Sequence, residues 1–493
     1  MLAERYNFAA SIFETNRARG EKTAYVDDRG TLTYAELEQR SRAFATMLGE
    51  LGVRREERVV LFMLDTVELP IAFLGSLFAG VVPVLVNTMV PAADLAFYVE
   101  HSRAQAIFAS TALAGTWKQL RDAPRVIDDE SLATRLAALA PSSAPADTYA
   151  DDIAFWLYSS GSTGKPKAVV HTHANIHHTV ELYGTPVMGV REDDTIFSAA
   201  KIFFAYGLGN ALTFPLAVGA RVVLMAGRAT PDAIFERLRK HRATIFCGAP
   251  TTYVAMLASP ALPKRDDVAL RVCTSAGEAL PAEVGKRFEA HFGAPILDGI
   301  GSTEMLHIYL SNRLGDVAYG TSGRPVEGYE LDLRDADAEG IGDLWVKGPS
   351  AALLYWRDRA RTNATFVGPW MKTGDKYVRL ASGHWQYAGR SDDMLKVSGQ
   401  YVSPVEVEVT LQTHEAVLEA AVVGRVDANG LTTTCAFVVL RSGRDPHDAL
   451  AAELKAHVKS KLAPHKYPRE ILFVSELPKT ATGKLQRFRL RSS

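Results

Sequence analysis

Residues 159–167 read SSGSTGKPK, a stretch of small, hydroxyl-bearing and cationic residues. Glycine lets successive backbone N–H groups converge on an anion while lysine supplies counter-charge, so the stretch is suited to phosphate. The common phosphate loop separates its glycines by four residues and follows Gly-Lys with a Ser or Thr for magnesium. Here Gly161 and Gly164 are separated by only two residues and Lys165 is followed by Pro166, so the loop is of another kind. It follows the strand-like DIAFWLY and precedes AVVHTHANI. That puts it at a strand end, where open α/β sheets gather ligands. A plain solvent-exposed Gly/Ser turn is the competing reading of this loop taken alone.

Four other segments in fixed order weigh against the plain turn: DGIGSTE (298–304), KTGD (372–375), GRSDDMLKVSG (389–399) and PKTATGK (478–484). With them, the chain resembles the adenylate-forming superfamily of acyl-CoA synthetases, adenylation domains and luciferases over nearly all its 493 residues. Within that superfamily KIFFAYGLGN (201–210) and GSTEMLHIY (301–309) look most like benzoate-type CoA ligases. The resemblance implies ATP, Mg²⁺ and coenzyme A, and a carboxylate that attacks the α-phosphate of ATP. Both reactants are anions; at about 4 Å two unit charges repel by ~4 kcal/mol at an effective dielectric of 20, roughly three decades in rate.

The resemblance also assigns the residues that bring positive charge to bear. Ser159, Ser160, Gly161, Ser162, Thr163, Gly164, Lys165 and Lys167 would hold the β- and γ-phosphates. Glu304 would bind Mg²⁺, with Thr303 reaching phosphate and Gly301 and Ser302 completing that turn. Lys484 would sit between substrate carboxylate and α-phosphate; its competing reading is a frayed basic tail, since Arg487, Arg489 and Arg491 follow. Asp375 would accept from the ribose hydroxyls and Arg390 would contact the ribose or phosphate side, though an Asp in TGD is otherwise an ordinary turn residue. Asp298 would face the adenine amino group, with Gly277, Glu278 and Ala279 along the ring. Glu278 and Ala279 depart from the family's usual Gly-Gly-Ala-Pro, and Ile300 stands where many members carry Tyr. Asp392 matches the family's hinge, whose rotation would withdraw Lys484 and bring Lys396, Ser398 and Gly399 to the site for the thiol step. A solvated acidic turn is the alternative for Asp392-Asp393.

Phe203, Phe204, Ala205, Tyr206, Gly207, Ile300 and His307 form the candidate acyl pocket. Aromatic and aliphatic walls with few polar groups suit a small, flat, apolar acid, benzoate or a close analogue, with His307 available to hydrogen-bond the carboxylate. Against this, aromatic runs are commonly core, and a lone histidine is commonly structural. The expected activity is that of an AMP-forming aryl-CoA ligase. Two alternatives stand beside it: an adenylation enzyme that loads a carrier-protein phosphopantetheine arm, and a nucleotide-responsive binding protein without catalysis. A homodimeric state is a further expectation, as is control of Lys484 by a lysine acetyltransferase and deacetylase, since acetylation would delete its charge.

Composition bounds the setting. A chain of 493 residues exceeds what one hydrophobic core supports. Its formal charge of −1 gives no overall pull toward nucleic acid or anionic membrane. Cys247, Cys273 and Cys435 are odd in number and widely spaced, which argues against a disulfide framework or a zinc site. The N-terminus lacks the apolar core of a signal peptide, so the expected location is cytoplasmic. The uncharged run 69–86 approaches membrane-span length. It contains Pro70 and Pro83 and ends in VVPVLV, so it reads as a buried helix followed by a buried strand.

The elements that must position these residues alternate. ERVVLFML, AQAIFAS, DIAFWLYSS, ARVVLM, ATIFCGAP and LRVCTSAG are strand-like; Ala35 to Leu48 and Pro231 to His241 are helical. Thr33 is a candidate N-cap with Glu36 three residues on, and Gly52 stops that helix. The fold class is therefore α/β: a large N-terminal domain (1–391) of doubly wound sheets plus a small β-rich unit, and a small α+β C-terminal domain (392–493), which the resemblance implies is mobile.

Overall fold

The computed structural model describes residues 2–121, 123–159, 166–391, 393–397, 400–426, 432–462, 466–479 and 485–491. Packing divides the chain into two compact units, residues 1–330 with 346–371, and residues 331–345 with 372–493. The sequence reading puts its boundary and hinge at Asp392, which lies outside the described residues, and the hinge is carried forward as a proposal.

Two sheets organise the first unit. One runs, in spatial order, Leu354–Tyr355, Lys167–Thr172, Ile153–Ser159, Val82–Leu85, Arg58–Phe62, Ala104–Ala109 and Arg125–Asp128. From Ile153–Ser159 onward its strands are parallel, and the first two are antiparallel. The other runs Arg324–Pro325, Ile308–Ser311, Ile296–Gly301, Val272–Ser275, Ile245–Gly248, Thr195–Ser198, Arg221–Val223, Thr23–Val26 and Thr31–Thr33. Its interior is parallel and its outer strands are antiparallel. The continuous apolar runs follow from this: Val272–Ser275 and Ile245–Gly248 are buried at every residue because both faces are covered. The order of strands was beyond the sequence reading; Thr23–Val26 pairs with Arg221–Val223 nearly two hundred residues away.

Local signals are realised closely. Thr33 caps the helix Tyr34–Glu50 with Glu36 returning the bond, and Gly52 follows at φ +75°. Pro231–His241 forms with Thr230 as its cap. The uncharged run becomes the helix Glu68–Phe78, buried at every residue, followed by the strand Val82–Leu85. No helix among the described residues is long and apolar enough to cross a membrane. The three cysteines are free and buried.

Glu68–Phe78 crosses Tyr34–Glu50 where Gly75 leaves no room for a side chain. A Cβ there would lie 2.5 Å from the Ser41 carbonyl oxygen and 2.7 Å from Phe44 Cβ. Backbone cannot yield as a flexible side chain would. Gly75→Val will therefore destabilise this unit by about 2–3 kcal/mol, measured as a lowered urea midpoint of tryptophan fluorescence.

The second unit holds part of the β-rich segment, including the strand Trp385–Arg390, and the α+β segment. Val417–Val426, Thr432–Leu440 and Glu470–Phe473 form a three-stranded sheet, and its core draws on the helices Pro404–Gln412 and Asp448–Lys461. The C-terminal arginines are not a frayed tail. Arg487 begins the helix Arg487–Arg491 and donates to both oxygens of the buried Glu408 (2.8 and 3.0 Å to Nη2). Asp393 pairs with Arg487 at 3.5 Å and also with Arg491.

Candidate active site

The strand Ile296–Gly301 and the turn after it carry the densest part of the site. Asp298 lies opposite Ser275 in the parallel register, which sets it beside the loop Gly277–Ala279. Gly277 stands at φ +97°, a conformation glycine adopts without steric cost. Asp298 is buried; its Oδ2 accepts weakly from the Leu280 amide at 3.5 Å, and Oδ1 has no partner among the described residues. Burial pushes its pKa up to about 8. The Leu280 contact places Asp298 at the end of the 277–279 loop.

The turn from Gly301 to Ile308 is tight. A Cβ on Gly301 would meet the His307 carbonyl oxygen at 2.4 Å, and Leu306 is held at φ +63°. A non-glycine residue in that region carries strain, which the surrounding contacts must offset. Those contacts come from a neighbouring strand, from Ala352 and from within the turn. His171, on Lys167–Thr172, donates from Nε2 to the Thr303 carbonyl at 2.7 Å, and Ala352 N–H donates to the Glu304 carbonyl at 2.8 Å. The Ser302 hydroxyl accepts from the Met305 amide at 3.1 Å.

The Glu304 side chain is met by Lys167 Nζ at 3.2 Å and by the Tyr355 hydroxyl, which donates at 2.7 Å, both on Oε1. Lys167 also lies over the Tyr355 ring, 4.8 Å from its centroid. Burial alone would raise the Glu304 pKa; the Lys167 ammonium and the Tyr355 hydroxyl outweigh it and hold the carboxyl below its usual range. Tyr355 and His171 were not singled out from the sequence. Tyr355 sits in LLYWRD, which has no spacing or residue type that signals a role, and only three-dimensional proximity reveals it. His171 sits in AVVHTHANI, beside the phosphate loop, and adjacency was the one available hint.

Ser159 ends the strand Ile153–Ser159 directly opposite Lys167, and its buried Oγ has no partner among the described residues. Ser160, Gly161, Ser162, Thr163, Gly164 and Lys165 lie outside the described residues.

The acyl-pocket candidates divide. Phe203 and Ala205 belong to the main hydrophobic core, with Phe204 packed against it. Gly207 is needed for close approach, since a Cβ there would meet the Lys201 carbonyl oxygen at 2.0 Å. Ile300, on Ile296–Gly301, is half-buried. Tyr206 shares a 2.6 Å hydrogen bond with Thr274. His307 is buried among Tyr183, Tyr206 and Phe214, at ring distances of 4.9, 5.7 and 4.6 Å. Gly209, where a π-helical turn Gly209–Thr213 begins, comes so close that a Cβ would lie 2.5 Å from the His307 ring. Burial lowers the His307 pKa to about 3, so the ring is neutral. Its Nε2 faces the Tyr206 carbonyl at 3.4 Å, which demands a proton on Nε2 and leaves Nδ1 a lone-pair acceptor with no partner among the described residues. In that tautomer Nδ1 suits a hydrogen-bond donor better than a carboxylate.

In the second unit the end of KTGD and the start of GRSDDM meet across two antiparallel strands. Asp375 lies directly opposite Arg390. Arg390 Nη1 donates to Asp375 Oδ1 at 3.0 Å and to the Thr373 carbonyl at 3.3 Å. Lys396 lies on the strand Leu395–Val397, which pairs with Gln400–Val402. Asp392, Ser398, Gly399 and Lys484 fall outside the described residues. The residues on either side of the Lys484 segment are described: Lys479 bridges to Leu485, and Gln486 N–H donates to the Pro478 carbonyl at 2.8 Å.

This chain belongs to the AMP-binding enzyme family, whose model matches residues 12–356, with the family's C-terminal domain matching residues 406–484. It is 52% identical to a benzoate–CoA ligase of Thauera aromatica, covering 100% of this chain and 97% of that one. It is 46% identical to a 4-hydroxybenzoate–CoA/benzoate–CoA ligase of Rhodopseudomonas palustris, over 99% of this chain and 94% of the other. Among solved structures, a benzoate CoA ligase from Burkholderia xenovorans LB400 superposes with a TM-score of 0.94 at 59% identity, over 99% of this chain and 100% of that one.

Proposed function

We propose that this chain is an AMP-forming aryl-CoA ligase that activates benzoate or a close aromatic acid as its acyl-adenylate and transfers the acyl group to coenzyme A. One observation carries the reading. A single strand and its following turn gather Asp298, with an unpartnered buried oxygen, the Thr303–Glu304 pair, and His307 in a ring of aromatic side chains. Adenine, phosphates and aryl group of one acyl-adenylate would lie along that line. The similarity to benzoate–CoA ligases over the whole chain supports the same acid class.

In this reading the backbone and hydroxyls of 159–165 with Lys165 and Lys167 bind the phosphates, Asp375 and Arg390 take the ribose, and Lys484 bridges carboxylate and α-phosphate as their bond forms. Glu304 is the protein ligand of Mg²⁺. No group of three or more His, Cys, Asp or Glu able to cage a metal occurs among the described residues, and one carboxylate with phosphate oxygens is what Mg²⁺ ordinarily accepts. When bound, Mg²⁺ supplies charge neutralisation at the phosphates. After adenylation the region around Asp392 turns, and Lys396, Ser398 and Gly399 serve the thiol step. Cytoplasmic location and acetylation of Lys484 belong to this reading on the sequence grounds given above, and a homodimeric state is part of it without such a ground.

The test is incubation with Mg-ATP and benzoate, following pyrophosphate release and thioester formation with and without coenzyme A. Pyrophosphate and AMP with benzoyl-CoA are expected; ADP and phosphate would rule out adenylate chemistry, and thioester formed only on a carrier arm would favour the carrier-loading alternative. A substitution refines the acid. His307→Phe keeps an aromatic wall but removes the Nδ1 acceptor, and will shift the kcat/KM preference toward benzoate over hydroxy- and aminobenzoates by about tenfold, read from thioester formation across that panel.

A further inference from the structure

We propose that Lys167 is an exchangeable counter-ion of Glu304: without nucleotide its ammonium holds the carboxylate, and on nucleotide binding it releases Glu304 to Mg²⁺ and turns to the phosphates, while Tyr355 keeps Glu304 in place throughout. The proposal rests on the reading above, in which Glu304 meets the metal.

Three side chains close on one another. Lys167 Nζ stands 3.2 Å from Glu304 Oε1, the Tyr355 hydroxyl donates to that same oxygen at 2.7 Å, and Lys167 Nζ lies 3.5 Å from the Tyr355 oxygen. The Lys167 and Glu304 side chains are 18% and 13% exposed, so water screens their attraction weakly. Both contacts fall on Oε1.

The arrangement is built by strand pairing rather than by loop chance. Tyr355 lies opposite Val169 and Leu354 opposite Val170, so Tyr355 is the diagonal cross-strand neighbour of Lys167. The Thr303–Glu304 backbone is fixed independently, by His171 from the same strand and by the Ala352 amide. Only the Lys167 side chain has to move in the exchange. Its strand position sets where it can go: opposite Ser159, at the foot of the phosphate-loop residues.

The charges give the direction. A buried carboxylate needs a cation, and one left without it is costly. With no nucleotide, Lys167 fills that need. A dication attracts the carboxylate more strongly than an ammonium does and repels the ammonium beside it. Lys167 then has a tetra-anionic phosphate chain within its reach. Tyr355 is neutral, so its hydrogen bond to Glu304 persists whichever cation is present, which makes it a positioning residue.

The test is made on the full chain without acid or coenzyme A, so that no turnover occurs. Binding of Mn²⁺ as a spin-resonance probe for Mg²⁺ is measured on the free protein, and binding of ATP is measured by calorimetry with Mg²⁺ and in EDTA. Lys167→Met is expected to tighten Mn²⁺ on the nucleotide-free protein by about tenfold and to weaken Mg-ATP by about tenfold. Lys167→Arg is expected to restore both values. Tyr355→Phe is expected to weaken Mn²⁺ and Mg-ATP severalfold and leave ATP binding in EDTA unchanged. Opposite signs for Lys167→Met are what a loss of folding could not produce. Unchanged or weakened Mn²⁺ binding in Lys167→Met, with Glu304→Gln abolishing metal-dependent ATP binding, overturns the exchange and leaves the site assignment intact. Unchanged metal dependence in Glu304→Gln overturns both.

Discussion

Replacing Lys484 with alanine will slow benzoyl-adenylate formation by at least two decades while leaving the conversion of supplied benzoyl-AMP and coenzyme A to benzoyl-CoA within a few-fold of the unmodified protein. Two anions must come within bonding distance. Their repulsion at about 4 Å is ~4 kcal/mol at an effective dielectric of 20, and each ~1.4 kcal/mol is tenfold in rate. A lysine placed between them offsets most of that. The thiol step breaks the anhydride instead of making it and has no such pair of approaching anions. A folding defect is not expected to confuse the result. The residues flanking this segment are tied by the Lys479–Leu485 bridge and by the bonds of Arg487 to Glu408, none of which uses Lys484. Pyrophosphate release reads the first step and thioester formation from benzoyl-AMP reads the second; equal loss in both would contradict a lysine that serves only one half-reaction.

Asp298→Asn will remove a pH dependence of stability and weaken ATP at once. The folded pKa of Asp298 is raised to about 8 by burial. Its unfolded value is about 4. Between these limits the folded protein binds the proton and the unfolded chain does not. Stability therefore falls as pH rises from about 4 to about 8, by on the order of 5–6 kcal/mol if this group acts alone. Asparagine carries no charge to desolvate, so the nucleotide-free variant will lose that slope and gain on the unmodified protein most clearly near pH 8, seen in urea midpoints taken at pH 5.5, 7 and 8.5. On the proposed reading, in which Asp298 faces the adenine amino group, ATP should bind the variant more weakly, because one of the two acceptor oxygens becomes an N–H donor. A slope that survives the substitution would mean that other groups set it.

Much of the scaffold was legible because its causes are local. The Thr33–Glu36 capping box, Pro231 at the first turn of Pro231–His241, and the apolar runs that became buried parallel strands each depend on a few neighbouring residues. The 69–86 run was separable from a membrane span because its prolines and β-branched tail imply a helix and then a strand, which is how it folds. Strand order was not legible, since Thr23–Val26 finds Arg221–Val223 through tertiary packing alone. The site followed the same division. Asp375 and Arg390 were named from two separate motifs and proved to be cross-strand partners. The Glu304–Lys167–Tyr355 triangle joins three segments spread over 188 residues, and no spacing rule connects them. The His307 tautomer was also out of reach, because it depends on a carbonyl presented by Tyr206 a hundred residues earlier.

Asp393 divides its two oxygens between Arg487 and Arg491, and Arg487 grips Glu408 with the same guanidinium. A torque applied at Asp393 would therefore reach the helix Arg487–Arg491 through its side chains as well as along the backbone.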